Sequence, residues 1–385
     1  MLDCQRDLFS LPAGVHYLNC AYMGPIPKPV EEAGIEGVRR KRDPTRITAR
    51  DFFSDADRAR ELFARLVGAP DPLRVAVIPG ASYGLSTAAR NLPLARGQNV
   101  VTARAQFPSN VYPWRRLCAE AGAELRSVAP PEGAERRGEG WNARLLEAID
   151  ARTAIVALPH VHWADGTFFD LERIGARARE VGAALVVDGT QSVGAFPFDL
   201  ERIRPDALVV ASYKWLLGPY SLGLAWYGPR FDGGVPLEET WLGRRESEDF
   251  AGLVDYQDEY QPGAARYDVG ERSNFALMPM LIAALELLIG WGQENVQAYC
   301  RALTRELLAE AKSLGYAVED EPWRGAHLFG IRVPARVELS RLQRRLRERN
   351  VWVSLRGDAV RVSPNVYNTP EDVAALAAVL REAAG

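Results

Sequence analysis

Seven short apolar runs punctuate the first two thirds of the chain: RVAVIP (74–79), NVVTA (99–103), ELRSVAP (124–130), TAIVALP (153–159), ALVVDG (184–189), ALVVAS (207–212) and LGLAWYG (222–228). Most are apolar at successive positions rather than at every second one. That pattern suits strands covered on both faces, because a strand with one wet face alternates. Amphipathic helical patterns fill the intervals, among them Ser109–Ala121 and Leu171–Val181, the latter preceded by Asp170 as an N-cap. Strand and helix alternating over about 150 residues predict an α/β fold, a large doubly wound and mostly parallel sheet.

The pattern changes beyond Phe275. A helical region, Met280–Leu314, breaks near Gly290–Gly292 and is followed by LFGIRV, a basic helix Ser340–Arg349, VWVSL, AVRVS and a last helix from Pro370. This is a smaller α+β unit. The expected division is therefore a large domain over 40–275 and a small domain made of 276–385 with the N-terminal segment 1–39, consistent with two domains for 385 residues. Pro130–Gly140 reads as a charged surface loop, and Leu355–Val360 as a tight turn.

Composition removes several function classes. Lys+Arg 47 against Asp+Glu 50 gives a net charge of −3, so no general field attracts nucleic acid or an anionic membrane. The run RLQRRLRERN is the kind of charge run that a solvated helix face produces. The longest apolar stretch, Met278–Trp291, contains Pro279 and Glu286 and is too short to span a bilayer. The first twenty residues hold Asp3, Arg6 and Asp7 without an apolar run, and four scattered cysteines show no pairing motif. A cytoplasmic protein with reduced thiols is expected.

Only Lys28, Lys41, Lys214 and Lys312 are lysines, so chemistry that needs an amine has four candidates. Lys28 and Lys41 flank a polar N-terminal helix and Lys312 ends another. Lys214 follows a buried strand, and Asp188 closes the preceding one; both would project at the carboxyl edge of the sheet, where open α/β folds bind ligands. A partly desolvated lysine is what Schiff-base chemistry requires, and an acid on the neighbouring strand is a partner for a pyridinium nitrogen.

Together with Gln191, the Ser-x-Lys-Trp segment 212–215 and the closing RVSPNVYNTPEDV, these residues make the chain similar to the class V aminotransferase group of pyridoxal-phosphate enzymes, from YLNCAYMGPIP near residue 17 to YNTPEDV near 372. That group includes cysteine desulfurases, selenocysteine lyase, kynureninase, epimerase-like proteins and true aminotransferases. The resemblance implies fold type I, pyridoxal 5'-phosphate bound as a Schiff base on Lys214, a small amino-acid substrate and a homodimer. It further implies that Asp188 pairs with the ring nitrogen and Gln191 with the ring hydroxyl. Gly80, Ala81 and Ser82 would receive the phosphate at a helix N-terminus, helped by Ser212 and Tyr213, and Phe107 would stack on the ring. Ser273 and Asn274 would reach the neighbouring subunit's phosphate. Arg361 would clamp the substrate α-carboxylate, with Arg356 a second candidate; His162 and Trp163 would shape the substrate pocket, and Trp241 would form part of its wall.

Two departures from the group's patterns shape the functional expectation. The persulfide-forming cysteine of desulfurases, carried shortly before the carboxylate arginine, has no counterpart in LRGDAV, and the desulfurase HVSN is here His160-Val161-His162-Trp163. With no third ligand near the two histidines, no metal is expected; Cys20 has nothing basic beside it in sequence to activate its thiol. An aminotransferase is the first expectation, with a Cβ lyase or an epimerase as alternatives. From other classes, a non-catalytic regulator on the same fold stays open, and a dinucleotide binder is disfavoured because PGASYG lacks the GxGxxG spacing.

Overall fold

The computed structural model describes residues 2–133 and 136–384. In chain order the strands are β1 (His16–Tyr17), β2 (Val75–Ile78), β3 (Asn99–Ala103), β4 (Glu124–Val128), β5 (Thr153–Pro159), β6 (Ala184–Asp188), β7 (Ala207–Ala211), β8 (Gly223–Tyr227), β9 (Ala317–Val318), β10 (Phe329–Arg332), β11 (Val351–Trp352), β12 (Ser354–Arg356) and β13 (Ala359–Val362). The helices are α1 (Lys28–Arg40), α2 (Ser54–Val67), α3 (Ala81–Asn91), α4 (Tyr112–Ala121), α5 (Arg137–Ala148), α6 (Leu171–Glu180), α7 (Leu200–Ile203), α8 (Leu277–Trp291), α9 (Gln293–Ser313), α10 (Leu339–Glu348) and α11 (Pro370–Ala384).

All seven apolar runs form one sheet in the order β2-β8-β7-β6-β5-β3-β4. Its strands are parallel except β8, which runs antiparallel to both β2 and β7. The unbroken apolar character of the runs has a direct cause: successive residues go to opposite cores. Val75, Val77, Val156, Val187 and Leu208 pack on one face with Phe63 and Leu281, while Ala76, Ile78, Ile155, Val186 and Val209 pack on the other with Leu85 and Trp114. Burying a Val or Leu side chain is worth about 1.5–3 kcal/mol, so a one-residue register slip would swap the two cores and be resisted at every strand.

The C-terminal segment builds a second, four-stranded antiparallel sheet, β12-β13-β10-β9, over which α9, α10 and α11 pack through Leu307, Leu342 and Leu376. The N-terminus joins it: β1 pairs in parallel with β11, and Leu18 belongs to that core. At β12–β13 the expected tight turn is a hairpin with Gly357 at φ 60°.

Asp170 caps α6 as expected, accepting from the Arg173 amide. The stretch 130–140 does not remain a loop throughout, because α5 begins at Arg137. Trp141 and Leu145, four residues apart, fold this turn onto the core, and Glu319 accepts from the Gly138 amide at 2.7 Å. Among the described residues no single helix is long and apolar enough to cross a membrane; α8 and α9 reach that composition only together, and the chain bends by 70° between them at Gly292.

Candidate active site

The carboxyl ends of β6 and β7 open into a cavity of about 290 Å³. The edge is chemically rich for a topological reason, since each parallel strand must leave the sheet there and its exit loop carries the exposed groups. β6 ends at Asp188. β7 ends at Ala211, after which the chain turns through 212–222 and re-enters the sheet as β8. Lys214 lies in this return loop, where Leu217 and Ser221 hold left-handed φ values of 52° and 68°, each a conformation worth of order 1–3 kcal/mol that the surrounding packing must impose. The N-terminal segment fixes the loop from outside. The Gly24 amide donates to the Tyr213 carbonyl at 2.9 Å, and a Cβ on Gly24 would collide with the Lys214 carbonyl.

The amine of Lys214 is almost wholly withdrawn from water, the residue being 6% exposed. Burial pulls its pKa down from 10.5 to about 8; Asp188 opposes that shift, while the charges of Arg361 and Arg356 reinforce it. Burial also raises the pKa of Asp188, against the hydrogen bonds from Thr190 and the charge of Lys214. Low dielectric thus drives acid and amine alike toward their neutral forms. The Lys214 Nζ lies 5.2 Å from the Phe107 ring centroid and 5.3 Å from that of Tyr213.

The opposite end of the cavity is the start of α3. Gly80 is its N-cap and supplies no side-chain bond, so the first amides of the helix, with the Ser82 hydroxyl beside them, face the cavity with the positive end of the helix dipole. Gln191 is held on both sides: its Nε2 donates to the Ala21 carbonyl at 3.1 Å and its Oε1 accepts from Trp215 Nε1 at 2.8 Å. Below it His327, fully buried and with its pKa lowered by burial to about 4, lies with Nε2 2.8 Å from the Gln191 carbonyl and Nδ1 2.9 Å from Gln297 Nε2. Because the Gln297 amide can only donate, the imidazole proton sits on Nε2.

The cavity brings together Gly80, Ala81, Ser82, Phe107, Trp163, Asp188, Gln191, Tyr213 and Lys214. Ser212 is adjacent in sequence but not on the wall; its hydroxyl is turned inward onto the Pro219 and Leu222 carbonyls, closing the return loop. Ser273 donates to the Phe52 carbonyl, and Asn274 caps α8 through the amides of Ala276 and Leu277, so within one chain neither reaches the cavity. His162 lies beyond Trp163, paired with Asp165. Trp241 is off the wall as well, packed among Phe52, Phe53 and Phe250. Burial raises the Cys20 thiol to about 12, which leaves it protonated at neutral pH. Tyr220, Ser109 and Gln106 line the cavity without having been expected. The Gly218-Pro219 pair was the available signal for Tyr220, since such a pair turns the chain back. His327 and Gln297 had none, their contacts being 136 and 30 residues away in sequence.

Arg361 is 1% exposed and reaches the Trp163 carbonyl at 2.8 Å and Ser354 Oγ at 3.2 Å, while its Nε has no partner. Among the described residues no carboxylate forms an ion pair with it, and burial lowers its pKa to about 10.

The family model described as "Aminotransferase class-V" matches residues 45–376. The chain belongs to the class-V aminotransferase family. This class-V protein is 26% identical over 388 residues to the isopenicillin N epimerase of Streptomyces clavuligerus, covering 97% of this chain and 96% of that one. It is 27% identical over 412 residues to a probable cysteine desulfurase of Methanothermobacter thermautotrophicus, covering 100% and 98%. Its fold is similar to that of an apo cysteine desulfurase from Thermococcus onnurineus, with a TM-score of 0.84 at 21% identity over 99% of this chain and 98% of that one. The family's cofactor is pyridoxal phosphate. The donor set in the class-V cavity fits that molecule: a desolvated amine for an aldehyde, a buried acid for a ring nitrogen, and an uncapped helix start for a phosphate.

Proposed function

We propose that this chain is an aminotransferase acting on a small α-amino acid, with Lys214 as the only lysine lining its cavity. The observation that carries the reading is the presence, in one cavity, of a Lys214 with its pKa drawn down to about 8 and the buried acid Asp188. Bound pyridoxal phosphate would supply an aldehyde that condenses with amines and a ring that accepts electrons from the substrate Cα. Asp188 would hold a proton on the ring nitrogen, and Gln191 would face the ring hydroxyl with its remaining N–H. The first amides of α3 and Ser82 would hold the phosphate, and Phe107 would cover the ring. Arg361 would hold the substrate α-carboxylate in a bidentate pair. Lys214, once displaced by the substrate amine, would take the proton from Cα and return it.

The cavity wall favours transamination because one base suffices for it. Inversion at Cα needs a second donor and loss of a β-substituent needs an acid at the leaving group, yet among the cavity-lining residues there is no histidine, no cysteine and no second lysine. The hairpin at Gly357 also leaves no room for a long sulfur-carrying loop before Arg361. An epimerase is the second reading, favoured by the Tyr213 and Tyr220 rings, tilted against each other with centroids 4.7 Å apart at the cavity, which could supply the second donor. The reading includes a homodimer. Exposed Tyr22, Ile26, Ile35 and Val38 offer an apolar surface for it, and a second copy could receive Ser273 and Asn274. It also includes the division into a large domain around the seven-stranded sheet and a small one around the four-stranded sheet.

Two measurements test the proposal. Borohydride reduction of the loaded enzyme should leave the pyridoxyl label on Lys214 alone. In a separate, unreduced sample, an amino acid added without a keto acid should release one keto acid per chain and stop. Continuous release of ammonia would identify a lyase instead, and solvent deuterium entering Cα with no keto acid formed would identify an epimerase.

A further inference from the structure

A second cavity, of about 830 Å³, adjoins the first, and Trp163 lines both. Its walls carry four guanidinium groups, those of Arg104, Arg137, Arg332 and Arg356, against the carboxylates of Glu132, Asp165 and Asp358. The pairing is uneven. Asp165 takes Arg137 at 3.4 Å and Arg332 at 3.0 Å, and Asp358 takes Arg332 again at 3.1 Å. Arg104 and Arg356 form no ion pair among the described residues. Arg356 lies over the Trp163 ring at 5.3 Å, and its Nε is buried without a partner.

A second unpartnered atom belongs to a residue of the same wall. His162, 2% exposed, lies with Nδ1 3.2 Å from Asp165, and its Nε2 is buried with no partner. A buried polar atom left unsatisfied costs about 1–3 kcal/mol, so Arg356 stands ready for an acidic ligand, with the exposed Arg104 as a second cation on the same cavity, whereas His162 gives its Nδ1 proton to Asp165 and keeps Nε2 as an acceptor. The position of that ligand follows from the hairpin. Arg356 ends β12 and Arg361 lies on β13, and both touch Trp163, Arg361 through its carbonyl and Arg356 through its ring. One molecule with an acidic group at each end could therefore span the two arginines.

We infer that this cavity takes a second, distal carboxylate of the substrate, so that the enzyme acts on dicarboxylic amino acids. Arg361 would hold the α-carboxylate while Arg356 and Arg104 hold the distal one. The inference rests on the reading of Arg361 as the α-carboxylate clamp and names the substrate class for it. Arg356 is held over the Trp163 ring and donates to the Leu355 carbonyl, and its planar fork suits a planar carboxylate.

The test measures binding rather than turnover, on the holoenzyme, with glutarate and butyrate, two acids that differ by one carboxylate. Calorimetry should find glutarate bound at least about tenfold more tightly, the lower bound for one charge-assisted hydrogen bond, and butyrate should compete with it. Arg356→Gln and Arg104→Gln should move that ratio toward one, whereas Arg361→Gln should weaken both acids. Equal affinity of the parent for the two acids overturns the inference without any variant. So do an unchanged ratio in both variants, and simultaneous binding of the two acids, which would place glutarate away from Arg361. A retained glutarate preference in an enzyme that releases no keto acid from any amino acid would sink the aminotransferase reading and leave the dicarboxylate site standing.

Discussion

The two sides of the site, the cavity wall and Arg361, which lies off that wall and reaches the carbonyl of the lining residue Trp163, handle charge in opposite ways. On the large-sheet side, Asp188 and Lys214 stand at the ends of neighbouring strands, and burial pushes each toward neutrality. On the small-sheet side, Arg361 is buried as deeply and meets only a carbonyl, a hydroxyl and, at 3.5 Å, an amide oxygen. The difference separates two tasks. A group that must gain and lose protons is most useful near its midpoint, which desolvation beside an opposite charge provides. A group that must only hold an anion is most useful as a permanent cation without an acid of its own, because an internal carboxylate would compete with the ligand. The same withdrawal from water thus yields a tunable group on one side and a fixed one on the other.

The largest effect that would break this comparison is expected at Asp188. Asp188→Asn should keep the cofactor bound and lose about 10²- to 10³-fold in kcat, the scale seen when one preorganised group at a site of developing charge is removed. Activity within a few-fold of the parent would mean that the acid side tunes nothing. The next effect is at Arg361. Arg361→Lys keeps the charge and loses the second parallel hydrogen bond, worth about 1.5–3 kcal/mol or roughly 10- to 150-fold in kcat/KM. The loss should be confined to substrates with an α-carboxylate, so a decarboxylated amine should react equally with parent and variant. Equal impairment of both would make Arg361 a structural residue.

The two sides also differed in how far the sequence revealed them. The large sheet was legible because most of its strands carry their own record: apolar at successive positions, the edge strand β4 excepted, and bounded by turn residues or a capping acid, with Asp188 closing β6 and Lys214 following β7. The start of α3 and the place of Phe107 on the cavity wall were legible for the same reason, as local departures from a strand. The support of Gln191 was not, since His327 and Gln297 come from a segment more than 100 residues later and bear no local pattern. Ser212 shows a complementary limit. Sequence places it two residues from Lys214, but its hydroxyl is spent within the return loop, near the Pro219 and Leu222 carbonyls. His162 and Trp163 are neighbours that both line the second cavity, and only Trp163 reaches the first.

The smallest predicted effect joins the two sides. Neutral Lys214 is the form that captures an aldehyde, so the rate at which cofactor-free enzyme takes up pyridoxal phosphate should follow its deprotonation. With a midpoint near about 8, the rate should be flat above that pH and fall about tenfold per unit below it. A midpoint near the ordinary lysine value would show that the amine is not desolvated. Arg361 acts on this midpoint through its charge alone, helping to keep Lys214 neutral, while Asp188 acts in the reverse sense. Arg361→Lys should therefore leave the midpoint in place although it impairs carboxylate binding. Arg361→Gln should raise it and Asp188→Asn should lower it, shifts that stopped-flow absorbance across the pH range would resolve. If the glutamine variant left the midpoint unmoved, the two sides would be electrostatically independent, and desolvation with Asp188 and Arg356 would have to account for Lys214 without Arg361.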